Sequence, residues 1–288
     1  MDAEHKKTDK KIKMVSRRLA KEYKQAEKEL KKLTNDYFQK FAQQDSAKRA
    51  LVDSGKLTKK EYVEWRTNKM LHGNTLKQKI AVMSDSLASA DKQAANIVNG
   101  ELAGVYASNY NFASHQITKK VRGKASFTLH DRKSVERLAK DNPRLLPKVN
   151  PDKIKGKKWS VRKINHAITQ GILQGEPIPD IAKRLEKVVG MGWNNAVRNA
   201  RTAMTGAQNA GRMESFEDAK EIGIKIKKQW VATLDERTRE SHVEIDGEIV
   251  ETDEPFSNGL MYPADPNGED PAEIYNCRCT MVAVIEDE

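Results

Sequence analysis

The stretch IGIKIKKQW, residues 222–230, marks the point where the sequence changes from helical periodicity to strand periodicity. Apolar residues recur there at every second position, at Ile222, Ile224 and Ile226, and lead into Trp230. A period of two is typical of a β-strand that buries one face. The sequence therefore predicts that a sheet begins here, after a long helical region.

Two further segments predict the remaining strands of a small antiparallel sheet. VEIDGEIV, residues 243–250, has the pattern of a β-hairpin with its turn at Asp246-Gly247. TMVAVI, residues 280–285, is almost continuously apolar, as expected of a buried central strand. Residues 252–276 between them form a long loop rich in Asp, Glu, Pro, Gly and Asn. A loop of this length in a compact domain is usually functional or held in place by other groups.

Helical periodicity dominates the chain before residue 222. Residues 8–43 predict a long amphipathic helix, which packs against another helix of the same chain or, alternatively, in a coiled-coil oligomer. Its apolar stripe consists of Ile12, Val15, Leu19, Tyr23, Ala26, Leu30, Leu33, Tyr37 and Phe41. A capping box at Thr58 and Glu61 predicts a second helical segment over residues 58–118. Breaks in that segment are expected near Gly73 and Gly100.

A segment rich in proline and lysine, residues 142–159, predicts a basic linker. After it, we expect a helix capped by Ser160, a break at residues 174–180, a short helix that ends at the Gly-Met-Gly of residues 190–192, and a third helix over about 194–219. These helices either pack on the sheet or, as an alternative, form a helix-turn-helix. Ser160-x-x-Lys163 also matches a hydrolase nucleophile pattern, but its companion motifs are missing from the sequence.

The sequence thus predicts an α+β fold, with a long-helix N-terminal domain and a C-terminal domain of about three helices and a small antiparallel β-sheet. The expected domains are a basic, mostly helical arm or bundle over residues 1–141, the linker over 142–159 and the C-terminal domain over 160–288.

Charge is distributed unevenly along the 288 residues. Residues 1–200 carry 43 Lys and Arg against 21 Asp and Glu, whereas residues 201–288 carry 9 against 20. The basic part suggests non-specific contact with the phosphates of double-stranded DNA, and the alternative is a lysine-rich solvated helix surface. The candidate contact residues are Lys10, Lys11, Arg17, Arg18, Lys153, Lys155, Lys157 and Lys158.

No apolar run approaches the length that spans a bilayer, and residues 1–30 lack the apolar stretch of a signal peptide. We therefore expect no membrane contact, and synthesis in the cytoplasm, where thiols stay reduced.

The only two cysteines, Cys277 and Cys279, are one residue apart. In an extended segment both would point to the same side of the chain. Together with His242 and Asp235 they would make a zinc-like ligand set and a structural zinc site. The alternatives are two small buried apolar residues, or a Cys-His-Asp nucleophile set.

Five pieces of sequence in a fixed order resemble the phage Mu F-like head morphogenesis family, the minor head proteins of tailed bacteriophages. They are NARTAMTGAQNAGR (199–212), Trp230, LDERTRESHVEIDGEIV (234–250), YPADP (262–266) and NCRC (276–279). The resemblance covers roughly residues 160–288, with RTAMT where a more acidic stretch is expected after Arg-Thr. The positions that carry the signature are Arg201, Trp230, Asp235, Arg237, His242, Gly247, Pro263, Asn276, Cys277, Arg278 and Cys279.

The resemblance implies a late structural protein of the virion, present in few copies in the capsid interior. It implies assembly in the host cytoplasm, recruitment to the procapsid and its scaffold through the portal protein, contact with packaged DNA, and an effect on DNA packaging or ejection. No small-molecule substrate is indicated, and the signature implies no catalytic role. The first alternative is an enzyme, a metal-dependent nuclease or injected effector that uses the His242/Cys277/Cys279 region. The second is a regulator that reads specific DNA sequences with the helices of residues 160–220.

Overall fold

A computed structural model describes residues 1–71, 74–123, 125–150 and 157–285 of the chain. The chain divides into two compact units, each assembled from separate segments. Unit 1 comprises Met1–Arg17, Asn96–Val149 and Val197–Glu288, and unit 2 comprises Arg18–Ala95 and Asn150–Ala196. The predicted domains, an arm at 1–141, a linker at 142–159 and a C-terminal domain at 160–288, concern parts that fold separately, and this division stays a prediction.

Long helices make up most of the described chain. In order they are α1 (Ala3–Gln39), α2 (Ala42–Asp53), α3 (Lys59–Arg66) with a π-helical turn at Thr67–Leu71, α4 (Asn74–Lys120), α5 (Arg132–Asp141), α6 (Lys157–Leu173), α7 (Ile178–Glu221), α8 (Glu240–Glu244) and α9 (Pro271–Ile274). Across these described helices, none has both the length and the apolar character that crossing a bilayer requires.

The sheet contains β1 (Ile226–Val231), β2 (Ile249–Glu251) and β3 (Thr280–Ile285) in the order β2-β1-β3. Both pairings are antiparallel, with Lys227 opposite Glu251 and Trp230 opposite Met281. Alternate residues of β1 are buried, as the period of two predicts. The predicted α+β fold with a small antiparallel sheet is therefore confirmed.

Two details of the predicted sheet are wrong. β1, not residues 280–285, is the central strand, and most of β3 is half-buried on both faces, which accounts for its continuous apolar character. VEIDGEIV is not a hairpin either, because its first residues belong to α8. Gly247 does occupy a turn, with a φ of 86°, and its N–H donates to the Trp230 carbonyl over 2.9 Å. The partner of β2 is therefore β1.

The helical prediction is confirmed in outline and wrong at three boundaries. Helix α4 continues through Gly100, and Gly73 lies outside the described residues. Ser160 is buried inside α6 and does not cap it. Helix α7 continues through residues 190–192, so the two helices predicted there are one helix of 44 residues. The capping box at Thr58 and Glu61 is present, and it begins α3.

In unit 1, the sheet packs on the C-terminal parts of α4 and α7. The contact surface consists of Ala113 and Ile117 of α4, Met213, Phe216 and Ala219 of α7, and Ile226 and Met281 of the sheet. Full burial of a side chain such as Phe216 or Met281 contributes roughly 1.5–3 kcal/mol. This layer holds the sheet and the loop between β2 and β3 in place.

In unit 2, helices pack through the apolar stripe of α1 and through a buried arginine. Tyr23 and Leu30 of α1 are buried. Arg66 is fully buried, forms an ion pair of 2.9 Å with Asp45, and donates to the Glu176 carbonyl over 2.9 Å. The Asp45 carboxylate compensates the charge of the buried guanidinium, and the Glu176 carbonyl accepts from one of its N–H groups.

Candidate metal centre

Three predicted ligands of the C-terminal region converge inside unit 1. His242 lies on the short helix α8, and Cys277 and Cys279 lie on the extended segment that leads into β3. Their ligand atoms are all within 4.8 Å of one another. The three residues are 1%, 1% and 2% exposed. Because residues two apart in an extended chain point to the same side, both thiols face the imidazole.

The imidazole of His242 has different neighbours at its two nitrogens. Nδ1 lies 3.4 Å from Cys279 Sγ and 3.8 Å from Cys277 Sγ. Nε2 lies 2.9 Å from Glu273 Oε2, an ion-pair distance without the angle of a regular hydrogen bond. The backbone N–H of Cys279 donates to Cys277 Sγ over 3.4 Å. The ring thus has soft sulfur atoms on one side and a carboxylate on the other.

Glu273 is a neighbour of the cluster that the sequence did not single out. It lies on α9, and its carboxylate accepts a hydrogen bond from Ser241 Oγ at 2.9 Å and another from Asn258 Nδ2 at 3.3 Å. These two donors hold the carboxylate against His242. The only available signal was its position four residues before Cys277, and the acidic loop contains several other carboxylates.

An apolar shell surrounds the cluster. The Trp230 ring meets the His242 ring edge to face with centroids 5.1 Å apart, and Phe256 packs on Trp230 in the same way at 5.1 Å. Leu260, Ala264 and Ile274 of the loop complete the shell. Such surroundings strengthen electrostatic interactions because they exclude water.

The two thiols differ in acidity. The hydrogen bond from Cys277 lowers the pKa of the Cys279 thiol, and the contact with His242 lowers it further against the opposing effect of burial. The same hydrogen bond, together with burial, raises the pKa of Cys277.

Asp235, the fourth predicted ligand, lies apart from the cluster and binds Arg278. Its two carboxylate oxygens accept from the Arg278 guanidinium, and the Arg237 N–H donates to it over 2.9 Å. The Arg278 guanidinium holds the pKa of Asp235 well below its usual range. Arg278 thus points away from the two cysteines that flank it, and the structure does not assemble a Cys-His-Asp set.

Other signature residues hold the start of the cysteine segment and the preceding loop against α7. Arg201 of α7 donates to Asn276 Oδ1 over 2.6 Å, and the Asn276 N–H donates to Thr202 Oγ1 over 2.8 Å. Asn276 has a φ of 63°, a left-handed conformation that Asn tolerates better than most residues. The Pro263 carbonyl accepts from Asn209 over 3.0 Å. These contacts give the signature a structural explanation.

A buried lysine holds the long acidic loop against the sheet. Lys228 of β1 is fully buried, and its Nζ donates to the carbonyls of Thr252, at 3.0 Å, and Met261, at 2.8 Å. Burial lowers the pKa of Lys228 to about 8. Periodicity alone did not single out this residue, because lysine rarely occupies the core face of a strand.

The predicted DNA-contact residues are mostly exposed. Lys10, Arg17, Arg18, Lys157 and Lys158 are exposed, and Lys11 is half-buried. Lys11 pairs with Glu101 at 3.0 Å and Lys157 pairs with Asp85 at 2.6 Å. Lys153 and Lys155 lie outside the described residues.

Comparison with known proteins identifies the domain that contains this cluster. Residues 162–282 match the family described as Phage Mu protein F like protein. Residues 162–282 of this chain are therefore similar to the phage Mu F-like family. The match includes all three residues of the cluster and all the signature positions, so the predicted resemblance is confirmed.

Two relatives extend the comparison. The minor head protein GP7 of Bacillus phage SPP1 is 28% identical over 282 residues, which cover 96% of this chain and 84% of the relative. The NAD(+)--arginine ADP-ribosyltransferase EFV of Enterococcus faecalis is 35% identical over 124 residues, which cover 43% of this chain and 26% of that protein. No solved structure matches the chain. The family and the SPP1 relative support a role in phage head morphogenesis and a place in the virion.

Proposed function

We propose that this chain is a minor head protein that binds the portal and the procapsid interior and contacts packaged DNA non-specifically. The observation that carries the proposal is the extent of its similarity to the SPP1 minor head protein, 96% of this chain and 84% of the relative. Similarity over 282 residues extends well beyond the family domain at residues 162–282. The sequence of the N-terminal helices is therefore also similar to that of a head protein.

Charge supports the assignment of DNA contact to the basic part of the chain. Residues 1–200 have a net charge of +22, from 43 basic and 21 acidic residues. Lys10, Arg17 and Arg18 of α1 are exposed on this part. Lysine and arginine side chains bind DNA phosphates independently of sequence, because every sequence has the same phosphates, and each contact releases condensed counterions. We assign the contact with packaged DNA, and any effect on packaging or ejection, to this region.

The acidic part of the chain suits a protein partner. Residues 201–288 have a net charge of −11, from 9 basic and 20 acidic residues. Glu254 and Glu269 of the long loop are exposed. Exposed carboxylates repel DNA phosphates and steer association with a complementary protein surface. We assign contact with the portal and procapsid to this region.

Co-sedimentation tests the proposal. The full chain should sediment with purified portal protein and with procapsids of the same phage. The double variant Glu254→Lys, Glu269→Lys should bind the portal more weakly, because it reverses two charges of the acidic loop. The control is Glu64→Lys, which reverses an exposed charge on α3. Failure of the wild-type chain to sediment with either particle would overturn the proposal.

A non-enzymatic role is supported by the burial of the cysteine and histidine side chains. A nuclease or effector site needs a group that substrate can reach, whereas His242, Cys277 and Cys279 are 2% exposed or less. The similarity to the ADP-ribosyltransferase covers 26% of that protein, so its activity is not transferred to this chain. Intact DNA after incubation with the chain and added divalent metal would agree with this assignment, and cleavage abolished by His242→Ala would contradict it.

A further inference from the structure

We propose that His242, Cys277 and Cys279 bind one Zn²⁺ ion, which fastens the long acidic loop to strand β3. This inference is independent of the proposed function in the phage head, because it rests on the geometry of unit 1 alone. The three ligand atoms converge within 4.8 Å, and all three residues are buried. Two thiolates and an imidazole are soft and borderline donors, and such a set binds zinc in preference to harder cations.

The two nitrogen–sulfur separations match those around a tetrahedral zinc ion. With Zn–S near 2.3 Å and Zn–N near 2.0–2.1 Å, a tetrahedral angle places nitrogen and sulfur about 3.6 Å apart. His242 Nδ1 lies 3.4 Å from Cys279 Sγ and 3.8 Å from Cys277 Sγ. Both distances are within about 0.2 Å of the nitrogen–sulfur separation that a tetrahedral zinc ion requires.

The groups behind the ligands orient them for a metal. Glu273 Oε2, 2.9 Å from His242 Nε2, favours the tautomer with its proton on Nε2, which leaves the Nδ1 lone pair directed at the thiols. The Cys279 N–H donates to Cys277 Sγ, which stabilises a thiolate there. A carboxylate behind a histidine ligand is the usual support in zinc sites.

The apolar shell around the cluster favours a bound cation. Two thiolates buried beside Trp230 and Phe256 would be costly without a cation, and Zn²⁺ neutralises both. Among the described residues, no fourth His, Cys, Asp or Glu joins the three ligands. The remaining tetrahedral position is therefore left to water or another small ligand.

The ligands join two parts of the fold. His242 follows β1, and the cysteines end the loop that starts after β2. Zinc bound to all three would close this loop at its C-terminal end, while Lys228 holds its N-terminal half through the carbonyls of Thr252 and Met261. Removal of the ion should therefore loosen the loop without unfolding α1 or α4.

The test is metal stoichiometry on the full chain, purified under reducing conditions without an affinity tag that binds metal. We expect one zinc per chain by elemental analysis, and visible cobalt bands of tetrahedral thiolate ligation after exchange with Co²⁺. Cys279→Ser should abolish both signals, and Glu273→Gln should weaken zinc affinity about 10- to 100-fold. His166→Ala, at an exposed histidine of α6, is the matched control and should retain both.

Chelation of the wild-type chain is a second measurement that needs no variant. A strong chelator should lower the melting temperature, and added zinc should restore it, because binding to the folded state alone adds to stability. Absence of zinc from protein whose two thiols are reduced, together with no cobalt spectrum and no effect of chelation, would overturn the proposal. The three side chains would then contribute to packing only.

Discussion

Arg212 of α7 forms two hydrogen bonds with Asp2 near the start of the chain, at 2.7 and 2.9 Å. The guanidinium is 2% exposed, and it also donates to Asn109 Oδ1 at 3.1 Å and to the Met281 carbonyl at 2.9 Å. One side chain therefore joins the first residues, α4 and β3 within unit 1. The N-terminal residues are part of the structure that supports the sheet.

Substitution of this arginine should be strongly destabilising. Arg212→Ala leaves a carboxylate, an amide oxygen and a carbonyl without their donor, at a cost of about 3–5 kcal/mol. For a chain of this size that corresponds to a melting temperature lower by roughly 10 °C. Thermal unfolding followed by circular dichroism measures the change. The matched variant Arg137→Ala, at an exposed position of α5, should change little, and equal effects of the two substitutions would refute the assigned role.

Two glycines of α7 should respond to alanine in opposite directions. At Gly211 a Cβ atom would overlap the carbonyl oxygen of Tyr106, whereas at Gly190 nothing lies within 4 Å. Gly211→Ala should destabilise by about 1–3 kcal/mol, because two helix backbones must move apart. Gly190→Ala should stabilise by about 0.5–1 kcal/mol, because alanine favours a helix interior. Chemical denaturation measures both, and a stabilising effect at Gly211 would contradict the close helix contact.

Glu214 should make the stability depend on pH. Burial, with Asp218 and Glu217 nearby, raises the pKa of Glu214 from 4.5 to about 7. Between these values the folded chain holds a proton that the unfolded chain has released, so stability falls as the pH rises through this range. Glu214→Gln removes this loss. Above pH 7 the free energy of unfolding of the variant should exceed that of the wild type by on the order of 1–2 kcal/mol, a value reduced for the partial exposure of Glu214.

Below about pH 4.5 the Glu214→Gln advantage should disappear, because both folded and unfolded wild-type chains are then protonated at this position. Melting temperatures measured from pH 4 to pH 8 test this course. Glu64→Gln, at an exposed position of α3, serves as the control and should show no such difference. An advantage that is constant across the range would refute the raised pKa.

DNA affinity should depend steeply on salt and on the basic helix α1. For each phosphate contact the slope of log affinity against log salt changes by about 0.9. The double variant Lys10→Glu, Arg17→Glu should flatten this slope by roughly 2 and should weaken binding to all DNA sequences equally. Lys225→Glu, an exposed charge reversal in the acidic part, is the control. If the α1 variant binds DNA as tightly as the wild type, α1 does not contact DNA.

The sequence predicted the elements of this fold better than their boundaries. Alternation at Ile226 and Trp230 located β1, and the stripe of α1 located the first helix. The Gly-Met-Gly at residues 190–192 was read as a helix end because glycine weakens helices. In the structure Gly192 serves close packing, since a Cβ there would stand 3.0 Å from the Tyr23 ring. Tertiary contacts of this kind are invisible to local propensity.

The candidate site shows the same limit. Cysteines two residues apart on an extended segment had to share a side, so their spacing was sufficient to pair them. His242 was found because it is the only histidine near the predicted strands of the sheet. Asp235 and Glu273 could not be distinguished, because the sequence predicts a loop or connection at both positions. Only the structure shows that one faces Arg278 and the other faces His242.

The most direct test of the proposed function is quantitative mass spectrometry of mature phage particles, purified on density gradients and treated with nuclease and protease before disruption. We expect peptides from both the basic and the acidic part of the chain, protected from protease and present in a few copies per particle. A chain that is abundant in infected cells but absent from purified particles would contradict the proposed function.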